Sequence, residues 1–191
     1  KGMRKTDDEF YLQSLFIYKL GTHVNPYASA TLRTQFAKGY IYPDTSEIAV
    51  SKFFDPAYLT QSVGIAYQPT PEVTTRLGAG VREIVTSEFS VYADDPTTAE
   101  IERVKVQGGF ESTTDVQFVL AENITYSGKL ELFAAFKSLD KVITRFDNTL
   151  TAKVNTYINV NLNVQFINDV NVSTLTQMKE ALAVGVSYIL M

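Results

Sequence analysis

Apolar and polar residues alternate with a period of two along most of this chain, over stretches longer than an ordinary strand. Between Tyr27 and Lys38, Ala28, Ala30, Leu32, Thr34 and Phe36 share one parity, and Ser29, Thr31, Arg33 and Gln35 share the other. Successive side chains of a strand point to opposite faces, so this spacing predicts one apolar and one polar wall. Ile158, Val160, Leu162, Val164 and Phe166 alternate in the same way with Asn159, Asn161, Asn163 and Gln165. Leu59, Val63, Ile65 and Tyr67 oppose Thr60, Ser62, Gly64 and Ala66, and Val73, Leu77, Ala79 and Val81 oppose Thr74, Arg76, Gly78, Gly80 and Arg82. In the last stretch Met178, Leu182, Val184, Val186, Tyr188 and Leu190 stand against Lys179, Ala181, Ala183, Gly185 and Ser187.

The pattern predicts nine strands, at 9–20, 27–38, 57–68, 73–84, 102–118, 124–136, 143–154, 158–167 and 175–190. Their connections alternate between short (21–26, 69–72, 119–123, 155–157) and longer (39–56, 85–101, 137–142, 168–174). Strands of about 9–11 residues cross a tilted membrane, and outer-membrane barrels pair short periplasmic turns with longer outer loops. The expectation is an all-β, antiparallel, up-and-down transmembrane β-barrel, with residues 1–191 forming a single barrel domain that lacks N-terminal strands. The last strand then runs downward and the C-terminus is periplasmic. Single-chain bacterial barrels have an even strand number, so three further strands upstream of Lys1 would make twelve; otherwise the sheet is open or completed by another chain.

A soluble barrel also alternates, with its apolar face inside. Two features favour lipid. The polar face is mostly Thr, Ser, Asn, Gln, Gly and Ala, where a solvated outer surface would carry denser Lys and Glu. Aromatics also gather near strand ends, where interfacial girdles sit: Phe10, Tyr18, Tyr27, Phe36, Tyr58, Tyr67, Phe136, Tyr157, Phe166 and Tyr188.

Composition removes some chemistries. With no Cys there is no disulfide or thiolate metal site, and the lone His23 forbids a multi-histidine one. A net charge of −4 gives no nucleic-acid footprint. No apolar run is long enough for a transmembrane helix. The chain opens on Lys1 without a secretory leader; a barrel needs one, so Lys1 is expected to follow a removed segment.

The charged residues expected to face the lumen are Arg33, Arg76, Arg82, Arg103, Lys105, Glu111, Glu131, Arg145, Asp147, Lys153 and Lys179. Strands 73–84 and 102–118 should pair, which would group Arg76, Arg82, Arg103 and Lys105 into a basic stripe. Such a stripe reads either as a pore with anion preference or as part of a lumen shut by Arg–carboxylate pairs. His23 falls in the turn Gly21–Pro26, a poor place for a Ser–His–acid hydrolase. Asp94, Asp95 and Asp44 lie in longer loops without the spacing of a calcium loop. The loop stretches Tyr40-Ile41-Tyr42-Pro43 and Phe53-Phe54 read as partner contacts or as membrane-interface anchors. Gly64, Gly78, Gly80, Gly109 and Gly185 fall on the polar parity, where they make room or let the wall bend.

Several motifs stand in a familiar order: Lys5-Thr6-Asp7-Asp8; Arg33-Thr34-Gln35-Phe36-Ala37-Lys38-Gly39-Tyr40; Val50-Ser51-Lys52-Phe53-Phe54-Asp55-Pro56-Ala57-Tyr58-Leu59-Thr60; Gly64-Ile65-Ala66-Tyr67-Gln68-Pro69; Glu122-Asn123-Ile124-Thr125 with Lys129-Leu130-Glu131-Leu132-Phe133; and Gln177 to Tyr188. Together they resemble an uncharacterised outer-membrane β-barrel family of the Bacteroidota and their relatives, known only as a domain of unknown function. The resemblance implies a full barrel with strands before Lys1. It brings no activity, and the absence of Trp departs from what members often carry in their early strands.

The expected function is therefore an outer-membrane barrel with a polar lumen, acting as a structural or docking element or a small pore, without catalysis, cofactor or metal. Its expected partners are outer-membrane lipid and, through the outer loops, other envelope proteins. The alternatives are an outer-membrane hydrolase and a soluble lipocalin-like binder of a hydrophobic ligand.

Overall fold

A computed structural model describes residues 8–41, 46–170, 173 and 175–186. Lys1, the loop residues Tyr42, Pro43 and Asp44, and Ser187, Tyr188 and Leu190 of the last expected strand lie outside the described residues. The elements are β1 (Phe10–Ile17), β2 (Val24–Thr34), β3 (Gly39–Ile41), β4 (Ile48–Ser51), β5 (Ala57–Thr70), β6 (Val73–Val85), a 3-10 turn (Ser90–Tyr92), β7 (Val104–Ala121), β8 (Ile124–Ala135), β9 (Val142–Lys153), β10 (Ile158–Asn168) and β11 (Gln177–Val186). There is no α-helix among the described residues.

Nine of these strands form one antiparallel sheet in the order β1-β2-β5-β6-β7-β8-β9-β10-β11, with β1 and β11 at its edges. Each strand of the sheet is hydrogen-bonded to the strand before it in the sheet, as an up-and-down meander requires. The nine expected strands match these nine to within a few residues at either end. The sequence pattern did not show the small hairpin β3–β4, which lies inside the stretch expected to be the loop 39–56. It is too short for a period-two signal to rise above noise.

Register fixes which residues share a face. From β8 to β11, Lys129, Asp147, Gln165 and Lys179 align in one row, and Glu131, Arg145, Ile167 and Gln177 in another. The rows Ser127–Thr149–Asn163–Ala181 and Thr125–Thr151–Asn161–Ala183 complete a polar face. The opposite face carries Leu130–Phe146–Phe166–Met178, Tyr126–Leu150–Leu162–Leu182 and Ile124–Ala152–Val160–Val184. Its weakest row is Gly128–Asn148–Val164–Glu180. There the Asn148 amide is satisfied twice: it accepts from the Tyr126 hydroxyl at 2.6 Å and donates to the Val164 carbonyl at 3.2 Å.

Polar side chains outnumber apolar ones among the buried described residues. Among the described residues, the buried apolar side chains are few: Tyr27, Ala57, Ala66, Ile84, Ala93, Phe133 and Ala135. Buried polar or charged ones include Asn25, Ser29, Thr34, Ser62, Arg76, Arg82, Thr113 and Gln165. The apolar columns stand open instead, with Val63 63 %, Leu77 60 % and Leu182 73 % exposed.

The chain divides into two compact units, Lys1–Phe16, Ala28–Val63 and Ala79–Gly109 in the first and Ile17–Tyr27, Gly64–Gly78 and Phe110–Met191 in the second. In the first unit Ser29 and Ser62 share a hydrogen bond of 2.8 Å between β2 and β5 on the buried polar face. In the second unit β5 and β6 approach closely at Gly64. A Cβ there would strike the Leu77 carbonyl and the Gly78 Cα, so only glycine fits.

Candidate functional site

Each of the two units carries its own polar face, and the two faces use different chemistries. In the second unit the face is ionic and charge-compensated. Arg76 of β6, 3 % exposed, donates from Nη2 to Asp115 Oδ2 of β7 at 2.7 Å. The same guanidinium lies 6.0 Å from the centre of the Tyr27 ring. Arg145 Nε donates to Asp147 Oδ2 at 3.0 Å, and Gln165 Nε2 donates to the other oxygen of that carboxylate. Lys129 pairs with Glu131 at 3.3 Å. Below these ions run hydroxyl–amide bonds, Thr151 Oγ1 to Asn161 Oδ1 at 2.8 Å and Asn163 Nδ2 to Thr149 Oγ1 at 2.9 Å. A cavity of about 370 Å³ opens on this face, lined by Glu72, Thr74, Asp115, Gln117, Ser127, Lys129, Asp147 and Thr149 among others.

In the first unit the face uses Arg–aromatic packing. Arg33 of β2 lies 4.8 Å from the Tyr11 ring centre of β1, and its Nε is 2.6 Å from Glu9 Oε1. Arg82 of β6, itself buried, lies 5.3 Å from the Tyr58 ring centre of β5. Such stacking satisfies a planar cation that has left bulk water. Tyr27 and Tyr58, expected in an interfacial girdle, are therefore turned onto the polar face, with Tyr27 buried and Tyr58 half-buried. Tyr27 shares the parity of Ser29 and Arg33, and that signal outweighs its place near the strand end.

The remaining expected wall residues fall as follows. Lys105, Glu111 and Lys179 are half-buried within β7 and β11. Glu111 Oε1 accepts from the Thr113 hydroxyl at 3.3 Å. Arg103 is exposed and precedes β7, where its carbonyl accepts from the Thr86 amide at 2.8 Å. Lys153 is exposed at the end of β9. The expected basic stripe is thus interrupted: Asp115 neutralises Arg76, and Arg103 lies beyond the strand.

Sequence reasoning missed the partners. Glu9 and Asp115 are the carboxylates that compensate Arg33 and Arg76, and Asp115 has the parity of Glu111, a signal that could have found it. It also missed Asp55, 1 % exposed, which accepts from the Ser87 amide at 2.9 Å and the Glu88 amide at 2.7 Å. Lys52 pairs with Glu88 beside it. Burial, and after it the nearby Asp55 carboxylate, pushes the Tyr92 hydroxyl above its ordinary value.

His23 Nδ1–H donates to the Gln68 carbonyl at 2.9 Å, which ties the β1–β2 turn to the end of β5. The loop carboxylates serve their own loop. Asp94 accepts from the Glu102 amide at 2.9 Å, and Asp95 caps Thr97 through both amide and hydroxyl. Tyr40 and Ile41 are exposed on β3.

Residues 1–40 match the model of a family described as protein of unknown function (DUF3078). No curated protein and no solved structure matches the chain.

Proposed function

We propose that this chain is wall of a transmembrane β-barrel in the bacterial outer membrane, and that its role is structural or docking, with a lumen kept narrow by its own ion pairs and no catalytic centre. One observation carries the reading: the polar face is the buried one and the aliphatic face is open. Leaving a Val, Leu, Ile or Phe side chain in water forfeits about 1.5–3 kcal/mol. A handful of such residues would consume the roughly 5–15 kcal/mol by which a whole domain is stable. The columns Val63–Ile65–Tyr67, Leu162–Phe166 and Leu182–Val184–Val186 all stand exposed, and acyl chains are the solvent that removes this cost. Strands of 11–14 residues, as in β2, β5 and β6, are long enough to cross a tilted bilayer.

Lipid admits no unpaired sheet edge, so the edges β1 and β11 require closure, and an even-stranded barrel needs strands beyond these nine. The alternation of short turns at 71–72 and 122–123 with long connections at 35–56 and 86–103 fits periplasmic turns and outer loops. The compensated pairs Arg76–Asp115, Lys129–Glu131 and Arg145–Asp147 favour a filled lumen over an anion-selective pore.

Reconstitution tests both parts. The complete protein carrying this chain should leave cell envelopes only with detergent and should pass no sustained current in planar bilayers. Recovery in the aqueous fraction without detergent would overturn the membrane reading. Large ohmic steps would overturn the closed lumen.

A further inference from the structure

An aromatic cluster off the polar face is used by neither the sheet nor the ion pairs. Phe36, Phe53 and Phe54 are 70 %, 51 % and 46 % exposed, yet they stack edge to face, with ring centres 6.0 Å apart for Phe36–Phe53 and 5.1 Å for Phe53–Phe54. The turn that presents them is strongly held. Lys52 and Asp55 exchange both backbone hydrogen bonds, at 2.8 and 3.0 Å, and the Asp55 carboxylate is fastened to the Ser87 and Glu88 amides. Between them Phe54 has φ 59°, a left-handed conformation unfavourable for a bulky side chain. A fold that maintains such an outlier, with its rings facing outward, calls for a functional reason.

The position of the cluster indicates its occupant. Phe36 stands two residues past Thr34, the buried last residue of β2, and Gln35 bridges to Phe53, so the cluster sits just beyond the end of that strand. Resting on the transmembrane reading above, we propose that the Lys52–Asp55 turn is a membrane-interface anchor that seats Phe53 and Phe54, with Phe36, at the boundary between headgroups and acyl chains. Aromatic rings concentrate at that depth because their apolar bodies leave water while the adjoining polar backbone stays hydrated.

The absence of Trp from the chain makes a direct test practical. Phe53→Trp and, separately, Phe36→Trp would be placed in the complete protein, with any tryptophan outside this chain replaced by Phe. Each variant would be reconstituted in phosphatidylcholine vesicles brominated either near the headgroup or near the acyl terminus. Leu182→Trp on β11 reports the strand face. The anchor predicts blue-shifted emission at positions 53 and 36, quenched more by shallow than by deep bromine. Water-like emission, or blue-shifted emission that neither lipid quenches because protein covers the ring, overturns the anchor. Quenching at 182 alone leaves the barrel standing without the anchor, whereas no quenching at any position removes both. Phe36→Trp keeps the test intact if the strained turn rejects the larger ring at 53.

Discussion

Arg76 and Asp115 form a lopsided ion pair: the guanidinium side chain is 3 % exposed and the carboxylate 43 %, with Nη2 and Oδ2 2.7 Å apart. Removing the carboxylate strands a buried cation, whereas removing the cation leaves a hydrated anion. Breaking a fully buried pair costs about 3–5 kcal/mol and an exposed one about 0–1 kcal/mol, so Asp115→Ala should cost about 2 kcal/mol. Arg76→Ala in the Asp115→Ala background should cost less than Arg76→Ala alone. Urea unfolding of the four proteins of this cycle in lipid or micelles measures the coupling directly.

Two glycines make opposite predictions. A Cβ at Gly64 meets the backbone of Leu77 and Gly78, which cannot step aside, and Gly64→Ala should cost about 1–3 kcal/mol in overpacking or block folding. A Cβ at Gly185 meets only the end of the Asn159 side chain, which can rotate away. Gly185→Ala should therefore fold like the parent. Folding yield and unfolding midpoints of the two variants separate them.

Asp55 is expected to act as a latch. Its two oxygens each accept one backbone amide, and asparagine would turn an NH2 toward one of those donors. Asp55→Asn should cost about 1–3 kcal/mol and expose residues 86–103 to protease. Limited proteolysis with the cut sites mapped by mass spectrometry checks this.

Tyr92 carries an alkaline signature. Its hydroxyl, held above 10.0 by burial and then by Asp55, keeps its proton in the fold to higher pH than in the unfolded chain. The stabilisation is fully present below about pH 10, the unfolded value, and is lost as pH rises through the higher folded value. Tyr92→Phe should lose less stability than the parent over that alkaline range and match its slope at neutral pH. The difference between the two unfolding curves is the readout, because it isolates the contribution of Tyr92.

Period-two alternation made the strands legible because one side chain in two faces each way regardless of tertiary context. The Ile158–Phe166 pattern passes directly into the rows shared by β9, β10 and β11. What escaped depends on contacts that parity does not encode. Asp55 bonds to backbone amides more than thirty residues away. Tyr58 shares the parity of Thr60 and Ser62, so its face was legible, but its partner, the Arg82 guanidinium on the next strand, was not. Arg103 and Lys153 have suitable identities and parities, but Arg103 precedes β7 and Lys153 is the last, exposed residue of β9, and strand ends are the least legible feature of any such pattern.

The most direct test of the central claim is a spin-label scan along β10. The chain has no Cys, so single-cysteine variants from Ile158 to Ile167 label cleanly. In vesicles, collisions with oxygen should peak at 160, 162, 164 and 166, and collisions with a water-soluble nickel complex should peak at 159, 161, 163 and 165. The opposite phase, or nickel access at every position, would contradict a wall whose aliphatic face meets lipid.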